Sequence, residues 1–279
     1  MKLYGVPLSQ PFRSVVWTML QLKLPFKVEM TVPGLTSKMG TRHENFRSLT
    51  PHRSAEVPLL TYEDTDDRSK VSLTESPAIM AHLCERFATS AATTTTAALY
   101  PPQGTGARAL VNSYTHWHHN HTRKLAQIFQ VPVRPDLKVD ISSPEKQKEF
   151  QTILRSLDEG WIPYGNDQSA SAGSPIFIGG LDHPTIADIL AYGEVAAITM
   201  TNLWDVNAED YPTLQAWLTH MSQLPHHDAV HQSLTTLGDL STNGAALDSK
   251  QLGAATKAGM QGISQAQASY MERMETGER

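Results

Sequence analysis

Ser9 stands where an apolar segment gives way to a helical pattern, a position at which a hydroxyl can do chemistry. Residues 2–8 are mostly apolar, and residues 13–22 then carry apolar side chains at the spacing of a helix with one buried face. The first N–H groups of a helix lack partners within it, and its dipole is positive there, so this end favours an anion. A hydroxyl there can hydrogen-bond to a bound thiolate or another oxyanion. The alternative is that Ser9 only ends a strand or caps the helix.

A second serine opens a later helical pattern and has a carboxylate beside it. Ser76 is a natural N-cap, and Pro77 suits the first helical position, so the sequence predicts another helix end that can hold an anion. Starting a helix explains these two residues. It does not explain the carboxylate of Glu75 just outside the cap, for which chance is the alternative.

Pro58 stands at the start of the predicted strand 57–62. A proline there has no N–H and can adopt a cis bond, which would leave the backbone amide of Val57 to pair with an extended ligand alongside. A plain proline at a sheet edge is the alternative, and the sequence leaves both open.

Seven predicted elements position these residues in the first third of the chain. Alternating apolar and polar residues predict strands, three-to-four spacing predicts helices, and an acidic turn at residues 63–67 separates the last two strands. The order is βαβαββα. In this order the elements cover residues 2–8, 13–22, 25–32, 44–49, 57–62 and 70–73 and a helix that has Ser76 as its N-cap.

A change of composition after residue 88 divides the chain into two domains. Residues 1–88 form the α/β domain, and residues 89–106 form a linker too polar and too interrupted to pack as an element. Residues 107–240 are predicted to form an all-α domain. For the tail 241–279, rich in Ala, Gly, Gln and Ser, the sequence predicts disorder, with a lid over a pocket as the alternative. The helical patterns cover residues 107–129, 146–161, 185–201 and 213–224.

Charge and cysteine content argue against several classes of protein. The 279 residues include 23 basic and 28 acidic ones, with no basic run to bind nucleic acid or a membrane surface. No apolar run reaches the ~18 residues of a membrane span, and no signal core opens the chain, so we expect a cytoplasmic protein. The single cysteine, Cys84, allows no disulfide within the chain, and its helical pattern predicts a packed position.

The motifs above occur in the order and with the spacing found in cytosolic glutathione transferases. The resemblance to the thioredoxin-like half of that family rests on Leu8-Ser9-Gln10-Pro11, Val57-Pro58 and Thr74-Glu75-Ser76-Pro77-Ala78-Ile79. The Ser-Gln-Pro entry resembles the theta class most. Residues 176–189 resemble the buried helix of the family in which Thr185 caps the helix and Asp188 reaches back. The resemblance implies a thioredoxin-like α/β N-terminal domain followed by an all-α helical domain.

The resemblance also implies an activity and a set of ligands. The protein would conjugate glutathione thiolate to electrophilic small molecules, with reduction of organic hydroperoxides as a further reaction, and Ser9 would stabilise the thiolate. Glutathione is then a co-substrate, no cofactor is needed, the second substrate is a hydrophobic electrophile, and the protein is a homodimer. The residues that the resemblance places on glutathione are Gln10, His43, Val57, Pro58, Glu75 and Ser76.

Two positions depart from the family pattern. Glu56 stands where the family often has a basic residue, so the glycine carboxylate of glutathione would need Lys38, Arg42 or His43 instead. Asn112 stands where theta relatives have an acidic residue that reaches glutathione across the dimer, which predicts a weaker contact or none.

Two other interpretations remain. A non-catalytic glutathione-transferase-like module used for assembly would keep the same core, but it would not need Ser9, Glu75 and Ser76 together. The histidines of residues 116–121 share helix faces at the spacing that two-ligand metal sites use. No acidic or thiol ligand accompanies them, so we predict no metal site there.

Overall fold

The computed structural model describes residues 1–87, 99–165, 176–241 and 246–276. Its first part is a four-stranded mixed sheet with helices, in the order that the sequence predicts. The elements are β1 (Lys2–Gly5), α1 (Gln10–Gln21), β2 (Lys27–Met30), α2 (Glu44–Arg47), β3 (Leu59–Glu63), β4 (Lys70–Leu73) and α3 (Ser76–Phe87). The thioredoxin-like part of the fold prediction is therefore confirmed.

The sheet has the strand order β2-β1-β3-β4. β1 runs parallel to β2, and β3 runs antiparallel to both of its neighbours. Parallel neighbours need a crossover, which α1 supplies, whereas the antiparallel strands β3 and β4 are joined by the short acidic turn.

The second part is helical, and the all-α part of the fold prediction is also confirmed. One helix, α7, is buried along nearly its whole length and packs against α1, so one hydrophobic core runs through both parts. The described helices are α4 (Gly106–Asn120), α5 (Ala126–Val133), α6 (Pro144–Arg155), α7 (Ile186–Thr199), α8 (Pro212–Ser222), α9 (His227–Leu237) and α10 (Ser249–Thr276).

A capping box starts α7, as the sequence predicts. Thr185 Oγ1 accepts a hydrogen bond from the Ala187 N–H at 3.2 Å, and the Asp188 carboxylate accepts one from the Thr185 N–H at 2.8 Å. The same carboxylate accepts bonds from the Ile178 N–H at 2.8 Å and from Trp217 Nε1 at 2.9 Å. Burial raises the pKa of Asp188 to about 6, and these hydrogen bonds oppose the rise. Asp188 therefore links the start of α7 to the segment at residue 178 and to α8, which is a structural role.

The predicted helix 107–129 is divided in two. α4 ends at Asn120, and a 3-10 turn over Thr122–Leu125 leads into α5. At the break, both the backbone N–H and Nδ1 of His121 lie within hydrogen-bond distance of the Trp117 carbonyl, at 3.1 and 2.9 Å. The side chain competes with the helix for this carbonyl, which helical spacing alone does not reveal.

The tail differs from the predicted disorder. Residues 249–276 form the 28-residue helix α10, which packs along α9 and also contacts α1. Tyr270 is buried and donates a hydrogen bond from its hydroxyl to the Leu24 carbonyl at 2.5 Å. Most of the predicted linker 89–106 lies outside the described residues.

Cys84 is buried, as predicted, and its burial raises the pKa of the thiol to about 12. The thiol is therefore protonated at neutral pH and inert as a nucleophile. Among the described residues, no helix combines the length and the apolar character needed to cross a membrane.

Candidate functional site

The register of the sheet brings the candidate residues to one end of it. Tyr4, near the end of β1, pairs with Leu59 at the start of β3, and Leu60 pairs with Leu73 at the end of β4. The segments that follow β1 and β4 and the segment that precedes β3 therefore leave the sheet at the same end. These three segments carry Ser9, Val57-Pro58 and Glu75-Ser76.

Ser9 is the N-cap residue of α1, but its side chain makes no capping hydrogen bond. Its backbone is extended (φ −78°, ψ 121°), its N–H donates to the Val6 carbonyl at 2.9 Å, and its own carbonyl accepts from the Arg13 N–H at 3.0 Å. The main chain of Ser9 is thus fixed at both ends. Because the hydroxyl is half-buried and not used by the helix, it can donate to a ligand at the positive end of α1.

Arg13 holds the loop that precedes Ser9. Its Nη1 donates to the carbonyls of Pro7 and Leu8, both at 3.1 Å, and its Nη2 donates to the Gly193 carbonyl of α7 at 3.0 Å. The side chain is 1% exposed, and burial lowers its pKa to about 10, so it stays charged at neutral pH. This role was not predicted from the sequence, in which a charged residue within the apolar pattern of α1 is the signal for it.

Gln10 begins α1 and lies against α7. It is 5% exposed, and its buried Nε2 finds no hydrogen-bond partner among the described residues. Helix α7 approaches closely here, since a Cβ on Gly193 would lie 2.7 Å from Ser14 Oγ and 3.3 Å from the Gln10 carbonyl oxygen. Gln10 is therefore next to Ser9 in sequence, but α7 covers it.

The Val57–Pro58 bond is cis, which is one of the two possibilities that the sequence left open. Pro58 is buried directly before β3, whereas Val57 is half-buried. The main chain of Val57 therefore lies next to the start of β3, one of the two central antiparallel strands of the sheet.

Glu75 has a left-handed backbone (φ 65°) at the start of α3. This conformation is uncommon for a residue with a long side chain and costs of order 1 kcal/mol or more, so such outliers often mark ligand sites. The Glu75 carbonyl accepts from the Ile79 N–H at 3.0 Å, and α3 begins at Ser76, one residue before the predicted start. The structure therefore has an exposed carboxylate and a buried serine at the positive end of one helix.

His43 lies on the loop between β2 and α2, together with the exposed Lys38 and Arg42. Its Nδ1 accepts a hydrogen bond from the Asn45 N–H at 3.2 Å and so caps α2. This bond assigns the remaining proton to Nε2, which can donate to a carboxylate. Glu56, by contrast, is exposed and carries negative charge on the segment before β3.

Two further segments of the helical part approach this side of the molecule. A Cβ on Gly34, after β2, would lie 3.2 Å from Nη2 of Arg134, which follows α5. The Leu247 N–H, just before α10, donates to the Pro132 carbonyl at 2.8 Å. The end of α5 and the start of α10 therefore lie together on the side of the β2–α2 loop.

The histidine segment has structural contacts instead of a ligand set. His118 is 3% exposed, and burial lowers its pKa to about 3, so its ring is neutral at pH 7. The His121 ring stacks on Trp117 with centroids 4.6 Å apart. Within the described part of the chain, no group of three metal-binding side chains comes together. Asn112 accepts a hydrogen bond from the Tyr100 hydroxyl at 2.8 Å and so anchors the residues before α4.

Two surface cavities lie away from these residues. One, of about 350 Å³, is bordered by α6 and the segment after α4, including His121, Lys124 and Glu149. The other, of about 860 Å³, covers the edge of the sheet near Tyr62 and Arg86. Neither cavity is lined by Ser9, Val57 or Glu75, so the candidate site rests on the end of the sheet and not on cavity size.

The sequence matches a known family model over its first third. Residues 3–91 match the model described as "Glutathione S-transferase, N-terminal domain". No curated protein sequence matches the chain.

Solved structures share the fold over nearly the whole chain. Human glutathione transferase theta-2, solved in complex with glutathione and an unknown ligand, is 22% identical, with a TM-score of 0.63 over 94% of this chain and 98% of that one. Human glutathione-S-transferase T1-1 is 20% identical, with a TM-score of 0.60 over 94% and 99%. Glutathione S-transferase unclassified 2 from Bombyx mori is 22% identical, with a TM-score of 0.61 over 88% and 99%. The fold is thus that of the glutathione transferases.

Proposed function

We propose that this protein is a glutathione transferase in which the Ser9 hydroxyl stabilises the thiolate of bound glutathione. The observation that carries the proposal is that Ser9 is the N-cap residue of α1 but its hydroxyl makes no capping hydrogen bond. The same end of the sheet carries the cis Val57–Pro58 bond and the left-handed Glu75. The match of residues 3–91 to the N-terminal domain of glutathione S-transferases supports the proposal.

In the proposed reaction, the thiol of glutathione loses its proton to solvent water, and its sulfur then forms a bond to an electrophilic carbon. The electron pair of the breaking bond departs with the leaving group. The Ser9 O–H donates to the sulfur, and the dipole of α1 adds to this stabilisation. A free thiol has a pKa of about 8.5, and one charge-assisted hydrogen bond of about 1.5–3 kcal/mol lowers it by roughly one to two units. Much of the bound glutathione is then thiolate at pH 7.

The remainder of glutathione suits the polar groups around Ser9. The Glu75 carboxylate complements the ammonium of the γ-glutamyl end, and the Ser76 hydroxyl with the first N–H groups of α3 complements its carboxylate. The main chain of Val57, before Pro58, pairs with the cysteinyl part. Gln10 stays in the proposal as a neighbour of Ser9, although α7 covers it.

The glycine carboxylate of glutathione suits the β2–α2 loop. His43 can donate from Nε2, and Lys38 and Arg42 bring positive charge to the same loop. We assign the direct hydrogen bond to His43 because its Nδ1 is already held by the Asn45 N–H, which fixes the ring.

We propose a theta-like enzyme that forms a homodimer in the cytoplasm and accepts a hydrophobic electrophile, with organic hydroperoxides as further substrates. The Ser-Gln-Pro sequence at residues 9–11 and the fold shared with human theta-2 support the class.

Binding to immobilised glutathione, followed by assays with chloro-dinitrobenzene and an organic hydroperoxide, tests the proposal. We expect retention on the resin and turnover of at least one electrophile. Retention without turnover of either substrate would favour the non-catalytic assembly module. Failure to bind glutathione at all would refute the proposed site.

A further inference from the structure

Helices α1, α9 and α10 meet at Pro7, two residues before Ser9. The Pro7 carbonyl accepts hydrogen bonds from Arg13 Nη1 of α1 at 3.1 Å and from the Ser233 hydroxyl of α9 at 3.2 Å. Ser233 is fully buried, and Pro7 is buried as well. The loop that carries Ser9 is therefore held from the C-terminal helices as well as from α1.

The third contact comes from Gly259 of α10. A Cβ at this position would lie 2.5 Å from Cβ and 3.0 Å from Cγ of Pro7, and 3.1 Å from Cβ of Ser233. Atoms of a proline ring cannot swing aside as the end of a long side chain can. The absence of a side chain at Gly259 therefore allows α10 to lie directly against the loop.

Gly259 is not explained by the needs of its own helix. Glycine inside a helix is less favourable than alanine by about 1 kcal/mol, so α10 alone would be more stable with alanine there. Gly253 lies on the same helix, and a Cβ there would meet no atom of the described residues within 4 Å. The two glycines differ in what they touch, and this makes Gly253 a matched control.

We infer that α9 and α10 act as a brace that positions Ser9 for thiolate stabilisation, through the contact of Gly259 and the hydrogen bond of Ser233 with Pro7. Gly259 and Ser233 are positioning residues, since they act through Pro7 and not on the substrate. The inference rests on the proposed function and assigns to the C-terminal helix a role in aligning the nucleophile.

The test compares Gly259→Ala with Gly253→Ala in the full chain. The glutathione complex of each variant is titrated with pH while the ultraviolet absorbance of the bound thiolate is followed, and kcat and KM are measured for a chosen electrophile. For Gly259→Ala we expect a pKa of the bound thiol shifted towards its ordinary value, a kcat lower by about tenfold, and a KM for glutathione within about twofold of the parent. For Gly253→Ala we expect parental values.

A double-mutant cycle tests the contact itself. Pro7→Gly removes the ring atoms that the new side chain would meet, so Gly259→Ala should have little further effect on kcat in that background. An additive effect would overturn the inference. Identical thiolate pKa and kcat for Gly259→Ala and Gly253→Ala, in a parent that does form the thiolate, would overturn it while leaving the proposed function in place. A parent that binds glutathione without lowering the pKa of its thiol would overturn both.

Ser233→Ala keeps the inference testable if Gly259→Ala does not fold. This variant removes one of the two hydrogen bonds to the Pro7 carbonyl without adding atoms. We expect kcat to fall about threefold with an unchanged KM for glutathione. Thr236→Ala is the control, because Thr236 is exposed and its hydroxyl donates to the Gln232 carbonyl of its own helix at 2.7 Å. Equal kcat in both variants would overturn the inference.

Discussion

The starts of α1 and α7 carry the same type of residue at the N-cap and use it differently. At α7, the Thr185 hydroxyl accepts the Ala187 N–H, and Asp188 closes the box. At α1, the Ser9 hydroxyl makes no such bond. Thr185 is fully buried, whereas Ser9 is half-buried at the end of the sheet. The comparison teaches that a hydroxyl at a helix start becomes a candidate for chemistry only when the helix does not use it.

The largest expected effect is the loss of stability when the capping box of α7 is removed. Asp188→Ala leaves the N–H groups of Ile178, Thr185 and Trp217 buried without an acceptor. We expect the free energy of unfolding to fall by about 3–5 kcal/mol. Denaturant unfolding measures this loss, and a loss below about 1 kcal/mol would show that the box is dispensable.

Ser9→Ala should lower activity and have little effect on stability. We expect kcat for conjugation to fall roughly 10- to 100-fold, because the lost hydrogen bond to the thiolate is worth about 1.5–3 kcal/mol. Glutathione affinity should stay nearly unchanged, and the free energy of unfolding should change by less than about 0.5 kcal/mol, because the hydroxyl does not cap α1.

Ser143 supplies a matched control for that variant. It is the N-cap of α6, and its side chain accepts a hydrogen bond from the Lys146 N–H. Ser143→Ala should cost about 1 kcal/mol of stability and leave turnover unchanged. Unchanged turnover in Ser9→Ala would remove Ser9 from the mechanism.

The start of α3 extends the comparison to a third helix. Glu75→Ala should weaken glutathione binding about tenfold, since a charge-assisted bond to the ligand ammonium is lost. Isothermal titration calorimetry measures the affinity. Glu63→Ala, on an exposed part of β3, is the control for the loss of one carboxylate, and equal affinities for the two variants would show that Glu75 does not contact glutathione.

The smallest expected effect is on stability and comes from the left-handed backbone of Glu75. Glu75→Gly removes the side chain from a residue with φ 65° and should raise the free energy of unfolding by about 1 kcal/mol, while glutathione binding weakens as in Glu75→Ala. Thermal unfolding of the two variants side by side measures the difference. A glycine variant that is no more stable than the alanine variant would show that the left-handed backbone at this position costs nothing.

Much of the α/β part could be predicted from the sequence, because its signals are local. Alternating and three-to-four patterns predict the strands and helices, and Ser76 with Pro77 predicts the start of α3 to within one residue. The capping box of Thr185 and Asp188 is also a local signal, four residues long, and the structure has it.

Contacts between distant segments could not be predicted in this way. Arg13 is one charged residue in an apolar pattern, and its partner Gly193 lies 180 residues away. The face that α10 buries consists largely of small residues: a Cβ on Gly262 would lie 2.6 Å from the Ala229 carbonyl oxygen of α9. Close packing of backbones needs glycine and alanine, and a chain rich in them resembles a disordered tail when only hydrophobicity is considered.

The sequence by itself determined the order of elements in the first third and which residue types stand at each helix start, since both depend on neighbours within a few positions. Only the tertiary structure decided that the Ser9 hydroxyl is not used as a cap, that α7 covers Gln10, and that α9 and α10 reach Pro7. These outcomes depend on which surfaces meet in three dimensions. A hydrogen bond or a close contact between distant segments does not produce a periodic pattern in the sequence.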